Sequence, residues 1–342
     1  QSATLPQHWR CGARRYANGG VSEQGETIGI SPATRLAFRG RLLAATRRHF
    51  DTTGALEVTT PVLRPAGASD IHLNNLTVEQ ADGIGYLQTS PEYAMKILLA
   101  EYHQDIFQIC PAFRGGESGD RHLTEFQMLE WYRCGLSLVG LMDDLEALVN
   151  GIVSDLEADF PLALPQRPFQ RVTYRELFEQ AFELNPHDAP LQALLRIAKR
   201  VGLDHLTVDT SVADCLDALF STVIEPGLGA PTLVYEYPAF QSALAEVGQG
   251  EKGDIVSRRF ELFAGGLELA NAYQELTDAE ELRARFDENN RQRSLANKPD
   301  IPADETLIEA TARMPACSGI ALGMDRLGMA LLGEREIRAV IP

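Results

Sequence analysis

Carboxylates, aromatic rings and arginines recur in this chain at strand and turn spacings that place them side by side. Residues Thr124 to Arg133 read as a strand, and alternate side chains of a strand share a face, so Phe126, Met128, Glu130 and Tyr132 project together. That face passes from aromatic to acidic. At about 3.3 Å of rise per residue, Phe126 and Glu130 stand roughly 13 Å apart, a span that seats a planar base at one end of a ligand and a cation at the other. Glu261 and Glu268 flank the Gly265-Gly266 turn from opposite strands. Such a pair can hold a hard cation, and magnesium takes one or two carboxylates together with substrate phosphates, which suits a nucleotide site. Asn271 and Glu275 follow, and strand parity puts Glu268 on the opposite face from both. One pocket lined by all three therefore requires a bulge or turn near Ala272. Arg326 falls near a helix start, among backbone N–H groups that favour anions, in a run with neither a P-loop nor a dinucleotide fingerprint. His122-Leu123-Thr124-Glu125 lies at a loop-to-strand junction with no second His at helical spacing, which argues against zinc. Each feature taken singly also has a plainer reading, as solvated acids on a surface hairpin or a half-buried strand.

The elements that must position these residues are legible in outline. Ser31 caps a helix opening at Pro32, with Leu36, Leu43 and Phe50 on one face at seven-residue spacing and Gly54 as its stop. Ala55 to Thr60 reads as a short strand ending at Pro61. Ile106 to Arg114 and Thr124 to Arg133 are two antiparallel strands joined by a long loop through Gly115-Gly116. Residues 136–225 are mainly helical, with Thr173 and Glu176 forming a capping box. From Pro231 strands return, with a hairpin at Gly265-Gly266, a helix after Thr277 with Glu280 at its third position, and a strand-turn-helix from Cys317 to Gly333. Residues 1–30 read as an arm or linker. Strands and helices segregate into blocks, which favours an α+β fold around an antiparallel sheet over a doubly wound one.

Composition excludes several classes. With 44% hydrophobic and 23% charged residues the chain is a folded protein rather than a disordered one. Its 31 Lys+Arg against 48 Asp+Glu give a net charge of −17, which disfavours nonspecific nucleic-acid binding and anionic membranes. No apolar run is long enough to span a bilayer and the N-terminus has no signal-peptide character, so a cytoplasmic location is expected. Five scattered cysteines without a C-x-x-C pair argue for free thiols.

Taken in order, these blocks resemble the three signature motifs of the class II aminoacyl-tRNA synthetases. The long helix, strand and Pro61 resemble motif 1; Phe113-Arg114 through His122-x-x-Glu125-Phe126 resembles motif 2; Gly323-Met324-Asp325-Arg326-Leu327 resembles motif 3. Within the class the lysine branch fits best, on Thr89-Ser90-Pro91-Glu92-Tyr93, Met128-Leu129-Glu130-Trp131-Tyr132 and Glu268-Leu269-Ala270-Asn271-Ala272-Tyr273-Gln274-Glu275-Leu276. Lysyl-tRNA synthetases carry an anticodon-reading domain ahead of motif 1, for which the expected arm has no room. The short form, with Cys317 to Gly323 leading into motif 3, is similar to the elongation factor P lysine ligase family, which attaches (R)-β-lysine to a lysine of elongation factor P using ATP.

The resemblance implies the following roles. Arg114 contacts the α-phosphate and the attacked carboxylate; Phe126 and Arg326 sandwich the adenine; Gly116, Glu117, His122, Leu269 and Gly323 lie against the nucleotide; Glu261 and Glu268 hold magnesium. Ser90, Pro91 and Glu92 receive the amino group nearer the carboxyl, while Glu130, Tyr132, Asn271 and Glu275 bind the distal ammonium. Burying an ammonium demands paired charge, so acids at that end are physically required. Ala321 stands where lysyl-tRNA synthetases have Gly and shapes the pocket. Three runs depart from the family pattern: Arg114-Gly115-Gly116-Glu117 for Arg-Asn-Glu-Glu, His122-Leu123-Thr124-Glu125-Phe126 for His-Asn-Pro-Glu-Phe, and Ala272 for the Gly after the Asn. In the first, the acid facing the adenine amino group is displaced by one, with Glu117 its substitute. The implied reaction is adenylation of (R)-β-lysine or lysine, then transfer to elongation factor P, by a homodimer without tRNA or membrane. The alternatives are a paralogue using another amino acid or acceptor, and a non-catalytic regulatory relative.

Overall fold

The computed structural model describes residues 31–81, 83–164 and 167–342; the expected arm, 1–30, and Cys11 lie outside the described residues. Helix α1 (Pro32–Thr53) starts as its sequence dictates: the Ser31 hydroxyl accepts the Thr34 N–H, proline occupies the first turn, and Gly54 ends it at φ 78°. Its buried stripe is Phe38, Leu42, Ala45, Thr46 and Phe50, which of the expected heptad includes only Phe50. Leu36 is 64% exposed and Leu43 only half-buried, because a straight helix drifts about 20° per heptad and its i, i+4 stripe faces a sheet and a helix rather than a coiled-coil partner.

Strand β1 (Leu56–Glu57) is shorter than expected. Next come β2 (Leu63–Arg64), β3 (Thr77–Gln80) and β4 (Gly83–Leu87), a small sheet in the order β2-β4-β3 whose strands are too short and too exposed to signal themselves in sequence. Helix α2 (Glu92–Tyr102) leads to the antiparallel pair β5 (Ile106–Phe113) and β6 (Glu125–Cys134), then to α3 (Leu138–Leu156). The helical stretch expected over 136–225 is interrupted by β7 (Gln170–Thr173), and α3 packs into the central core with α1. Helices α4 (Tyr174–Phe182), α5 (Leu191–Arg200) and α6 (Val212–Leu219) build a separate cluster around stacked Tyr174, Phe178 and Phe220. The capping box of Thr173 and Glu176 opens α4.

Strands β8 (Thr232–Pro238), β9 (Val247–Gln249), β10 (Ile255–Ala264) and β11 (Leu267–Gln274) follow, and Gly265 and Gly266 supply the two positive φ values, 64° and 71°, that close the β10–β11 hairpin. Helix α7 (Ala279–Leu295) is capped by Asp278 rather than Thr277, the carboxylate accepting from the N–H groups of Glu280 and Glu281. The chain ends in α8 (Glu305–Thr311), β12 (Cys317–Gly323) and α9 (Met324–Leu332), strand passing directly into helix. The central sheet runs β1-β5-β6-β12-β11-β10-β8-β7, with β9 beside β10. It is antiparallel except for the two outermost pairs, β1 with β5 and β7 with β8. The fold is thus α+β, with a large sheet flanked by helices.

Period two then separates core from site. Leu129 and Trp131 of β6, Phe260 and Leu262 of β10, Ala270 and Ala272 of β11, and Ile320 and Leu322 of β12 join α1, α3 and α9 in one core. Their alternates, from Met128 and Glu130 to Ala321, face a cavity on the other side.

Candidate functional site

That cavity has a volume of about 1470 Å³, larger than a site for one small ligand. The expected residues Ser90, Glu92, Arg114, Glu117, His122, Phe126, Glu130 and Tyr132 line it. So do Glu261, Glu268, Leu269, Asn271, Glu275, Ala321, Gly323 and Arg326. Pro91 and Gly116 are outside the lining: Pro91 is the residue before the first turn of α2, and Gly116 makes a loop turn at φ 78°.

The parity problem between Glu268 and Asn271 is resolved by a bulge, located at Leu269 rather than near Ala272. Phe263 pairs with Glu268 and Leu262 with Ala270, so Leu269 is the extra residue that returns both polar side chains to one face.

One end of the cavity is cationic and aromatic. The Arg114 guanidinium sits 5.2 Å from the Phe126 ring centroid, and its Nε is buried without a hydrogen-bond partner. Arg326, in the first turn of α9, donates to the Glu268 carbonyl at 2.9 Å and lies 2.6 Å from His122 Nε2. Burial and the adjacent Arg326 cation lower the His122 pKa, so the ring is held neutral and can accept. Helix α9 is fixed by Asp325, buried between the Gln127 N–H at 2.7 Å and Arg39 of α1 at 2.7 Å.

Glu261 and Glu268 lie on adjacent strands, but not opposite one another: Glu261 pairs with Asn271 and Glu268 with Phe263. The Glu261 carboxylate accepts from Tyr237 OH at 2.6 Å and contacts Arg259. Burial pushes its pKa up to about 7, against the pull of Arg259 and with added repulsion from Glu268. Among the described residues no three metal-ligating side chains cluster. A hard cation here would rest on this pair and on a ligand's oxygens.

The other end is acidic and closed. Glu130 accepts from Ser90 Oγ at 2.9 Å and Tyr132 OH at 2.6 Å; Ser90 in turn accepts the Glu92 N–H at 3.0 Å, tying the start of α2 to the strand. Burial, with Glu92 nearby, pushes Glu130 up to about 8, and burial pushes Glu275 up to about 7 despite Lys96. Asn271 donates to Tyr273 OH at 3.1 Å and leaves its buried Oδ1 unpartnered. The floor thus offers acids that carry their full charge only when a cation joins them.

Sequence reasoning missed three groups. Lys96, only 3% exposed, stands between Glu92 and Glu275; its place on an apolar helix gave no signal beyond being a lone charge in such a stretch. Arg259 and Tyr237 hold Glu261. Gly319 was part of a recognised run, but its role is spatial: a Cβ there would collide with the Tyr132 ring and the Glu275 carboxylate.

A family model of class II tRNA synthetases (D, K and N) matches residues 31–342. The elongation factor P–(R)-β-lysine ligase of Mannheimia succiniciproducens is 39% identical over 322 residues, covering 91% of this chain and 95% of that protein. The ligase of the same name from Pectobacterium carotovorum is 37% identical over 329 residues, covering 92% and 97%, and that of Klebsiella pneumoniae is 36% identical over 321 residues, covering 91% and 95%. With its largely antiparallel sheet and a cavity whose cationic end carries Arg114 and Arg326 and whose far end is acidic, this chain belongs to the class II tRNA synthetases, in the elongation factor P lysine ligase family.

Proposed function

We propose that the chain is an ATP-dependent ligase that activates (R)-β-lysine as its adenylate and transfers it to a lysine side chain of elongation factor P. The observation that carries this reading is a single cavity joining a cationic, aromatic end to three acids, half-buried Glu92 and fully buried Glu130 and Glu275. A ligand bearing one carboxylate and two ammonium groups is complementary to both ends at once.

In the first step a carboxylate oxygen of the amino acid attacks the ATP α-phosphorus, the bond to the β-phosphate bridging oxygen breaks, and pyrophosphate leaves. Arg114, aimed from the end of β5 over Phe126, neutralises charge on the α-phosphate and holds the attacking carboxylate; Phe126 and Arg326 take the two faces of the adenine. Gly323 and Leu269 border the base; Glu117 and His122 approach from the loop. Magnesium fits Glu261 and Glu268, whose carboxylates repel one another and which supply two hard oxygen donors beside the phosphate path; when bound it supplies charge neutralisation for the phosphates. Ser90 and Glu92 receive one ammonium, and Glu130, Tyr132, Asn271 and Glu275 the other, with Ala321 setting the width between them. In the second step a lysine amine of the acceptor, having lost its proton, attacks the acyl carbon and releases AMP.

The working unit is proposed to be a homodimer formed through the motif 1 region, where Leu36 of α1 and Leu56 of β1 are exposed at 64% and 55%. No helix among the described residues is long and apolar enough to cross a membrane, and a cytoplasmic location fits the proposed acceptor.

ATP–pyrophosphate exchange with (R)-β-lysine, α-lysine and no amino acid tests the activation step without the acceptor. Exchange strongest with (R)-β-lysine, followed by labelling of elongation factor P and not of tRNA, is the expected result. A folded protein that exchanges with neither isomer would overturn it.

A further inference from the structure

Lys96 is the one buried lysine of the acidic floor, and the reaction above makes no use of it. Its Nζ lies 2.6 Å from Glu92 Oε1, one turn back on α2, and 2.7 Å in ion-pair contact from Glu275 Oε2, just past the end of β11. Its side chain is 4% exposed and that of Glu275 1%. Taking an ammonium out of water is costly, and a well-packed apolar side chain commonly serves a fold at least as well as a buried ion pair. The docking of α2 does not need the charge, because Met95, Leu99 and Ala100 already pack with Ile106 and Tyr132. Yet without a cation between them the two carboxylates, on different elements, would repel and turn apart.

Charge counting gives Lys96 a purpose. Glu92, Glu130 and Glu275 bring three negative charges to the floor and Lys96 brings one positive, leaving a deficit of two. Two is the number of ammonium groups on a diamino acid whose carboxylate is held elsewhere, at Arg114. A monoamino acid would leave one buried carboxylate unpaired or force it to take a proton, and either outcome weakens binding.

We infer that Lys96 is a positioning and specificity residue of the amino-acid pocket, a fixed internal cation that clamps Glu92 and Glu275 in place and sets the floor charge to match a diamino acid. The inference rests on the amino-acid reading of this end of the cavity. The charged and titratable groups facing the clamp are Glu92 and Tyr93 of α2, Glu130 and Tyr132 of β6, Tyr273 and, just past its end, Glu275 of β11, and Cys317 of β12. All of these groups become negative or stay neutral as pH rises, with Arg259 beyond Tyr273, so among the described residues Lys96 is the cation in direct contact with Glu92 and Glu275 that keeps them ionised. Its own pKa is held above the ordinary lysine value: burial opposes the charge, and Glu275 and Glu92 more than offset it.

The test is calorimetric titration of (R)-β-lysine and α-lysine, with norleucine as the monoamino control, onto the full chain across pH 6–9, for wild type, K96M and K96R. Binding requires no turnover, so it separates this inference from the proposed reaction. K96M is expected to bind the better diamino acid about tenfold or more weakly, with ATP affinity within about twofold. Its acid limb is expected to move up by about one pH unit, since losing a nearby cation raises the carboxylate pKa values. A residue that only packed the helix would leave that limb unmoved. K96R keeps the charge but not the compact geometry, and is expected to retain the wild-type limb with an intermediate affinity; it serves alone if K96M fails to fold. Wild-type affinity and an unshifted limb in folded K96M, or wild-type affinity in K96R where K96M does not fold, would overturn the inference. Wild type that binds a diamino acid over norleucine but exchanges no pyrophosphate would overturn the reaction while leaving Lys96 to be judged on binding; wild type that binds neither lysine isomer would overturn both.

Discussion

At the scale of single residues the site separates into groups that carry charge toward a ligand and groups that hold them. Arg114 belongs to the first: R114A removes the only arginine stacked on Phe126 among the described residues, and should lower pyrophosphate exchange by about 10²-fold or more while leaving the thermal transition near that of wild type. The acids predict a pH dependence with a definite sign. Glu275 at about 7 and Glu130 at about 8 lie above the ordinary carboxylate range in the empty cavity, so each is partly protonated at neutral pH. An ammonium ligand favours the ionised form, so amino-acid affinity should rise between about pH 6 and 8 and fall off below as both take up protons. An amino-acid KM that is flat over this range, measured at saturating ATP, would contradict the assignment. Gly319 belongs to the second group. G319A would push the Tyr132 ring and Glu275 aside, and is expected to raise the amino-acid KM by about tenfold with little change in that for ATP. No pattern in the chain marks Gly319 as special, because the collision involves Tyr132 and Glu275, which are distant in sequence.

At the scale of elements, local chemistry set the ends and tertiary packing set the faces. Ser31 with Pro32 and Thr173 with Glu176 open their helices as their sequence implies, since a cap is satisfied within four residues. Asp278 takes the cap next to Thr277 because its carboxylate reaches two N–H groups at once; D278A should cost about 1 kcal/mol, read as a lower denaturation midpoint with activity retained. On α1 the expected heptad placed Phe50 correctly but not Leu36 or Leu43, as which stripe of a helix is buried depends on what packs against it. In β6 both faces are buried, so hydrophobic alternation could not tell Trp131 in the core from Glu130 in the site; only the parity of the strand did. W131A should cost about 3–5 kcal/mol, far more than a surface change, since it empties the core between α1, α3 and the sheet.

At the scale of the whole molecule, nine of the described strands form one sheet that places residues more than 200 positions apart along the chain, such as Ser90 and Ala321, in one cavity. Long-range register of this kind makes the site a single mechanical unit with the core on its far side. The proposed dimer is checked by sedimentation, where a species of about twice the 37.6 kDa chain mass is expected and a monomer at micromolar concentration would reject it. An L36E substitution on the exposed turn of α1 is expected to shift that equilibrium toward monomer without unfolding the chain.

The sequence by itself determined the opening helix and its cap, the antiparallel pair β5–β6, the two-glycine hairpin, the capping box of Thr173 and Glu176, the shared face of Phe126 and Glu130, and the need for a bulge or turn, expected near Ala272, because each depends on backbone preferences and spacings local to a few residues. Only the tertiary structure decided that the bulge falls at Leu269, that Glu261 is held by Arg259 and Tyr237 rather than facing Glu268, and that Lys96 stands between Glu92 and Glu275. Those outcomes depend on which strands become neighbours and on the balance of charge once water is removed, and neither quantity is defined until the sheet has closed over its core.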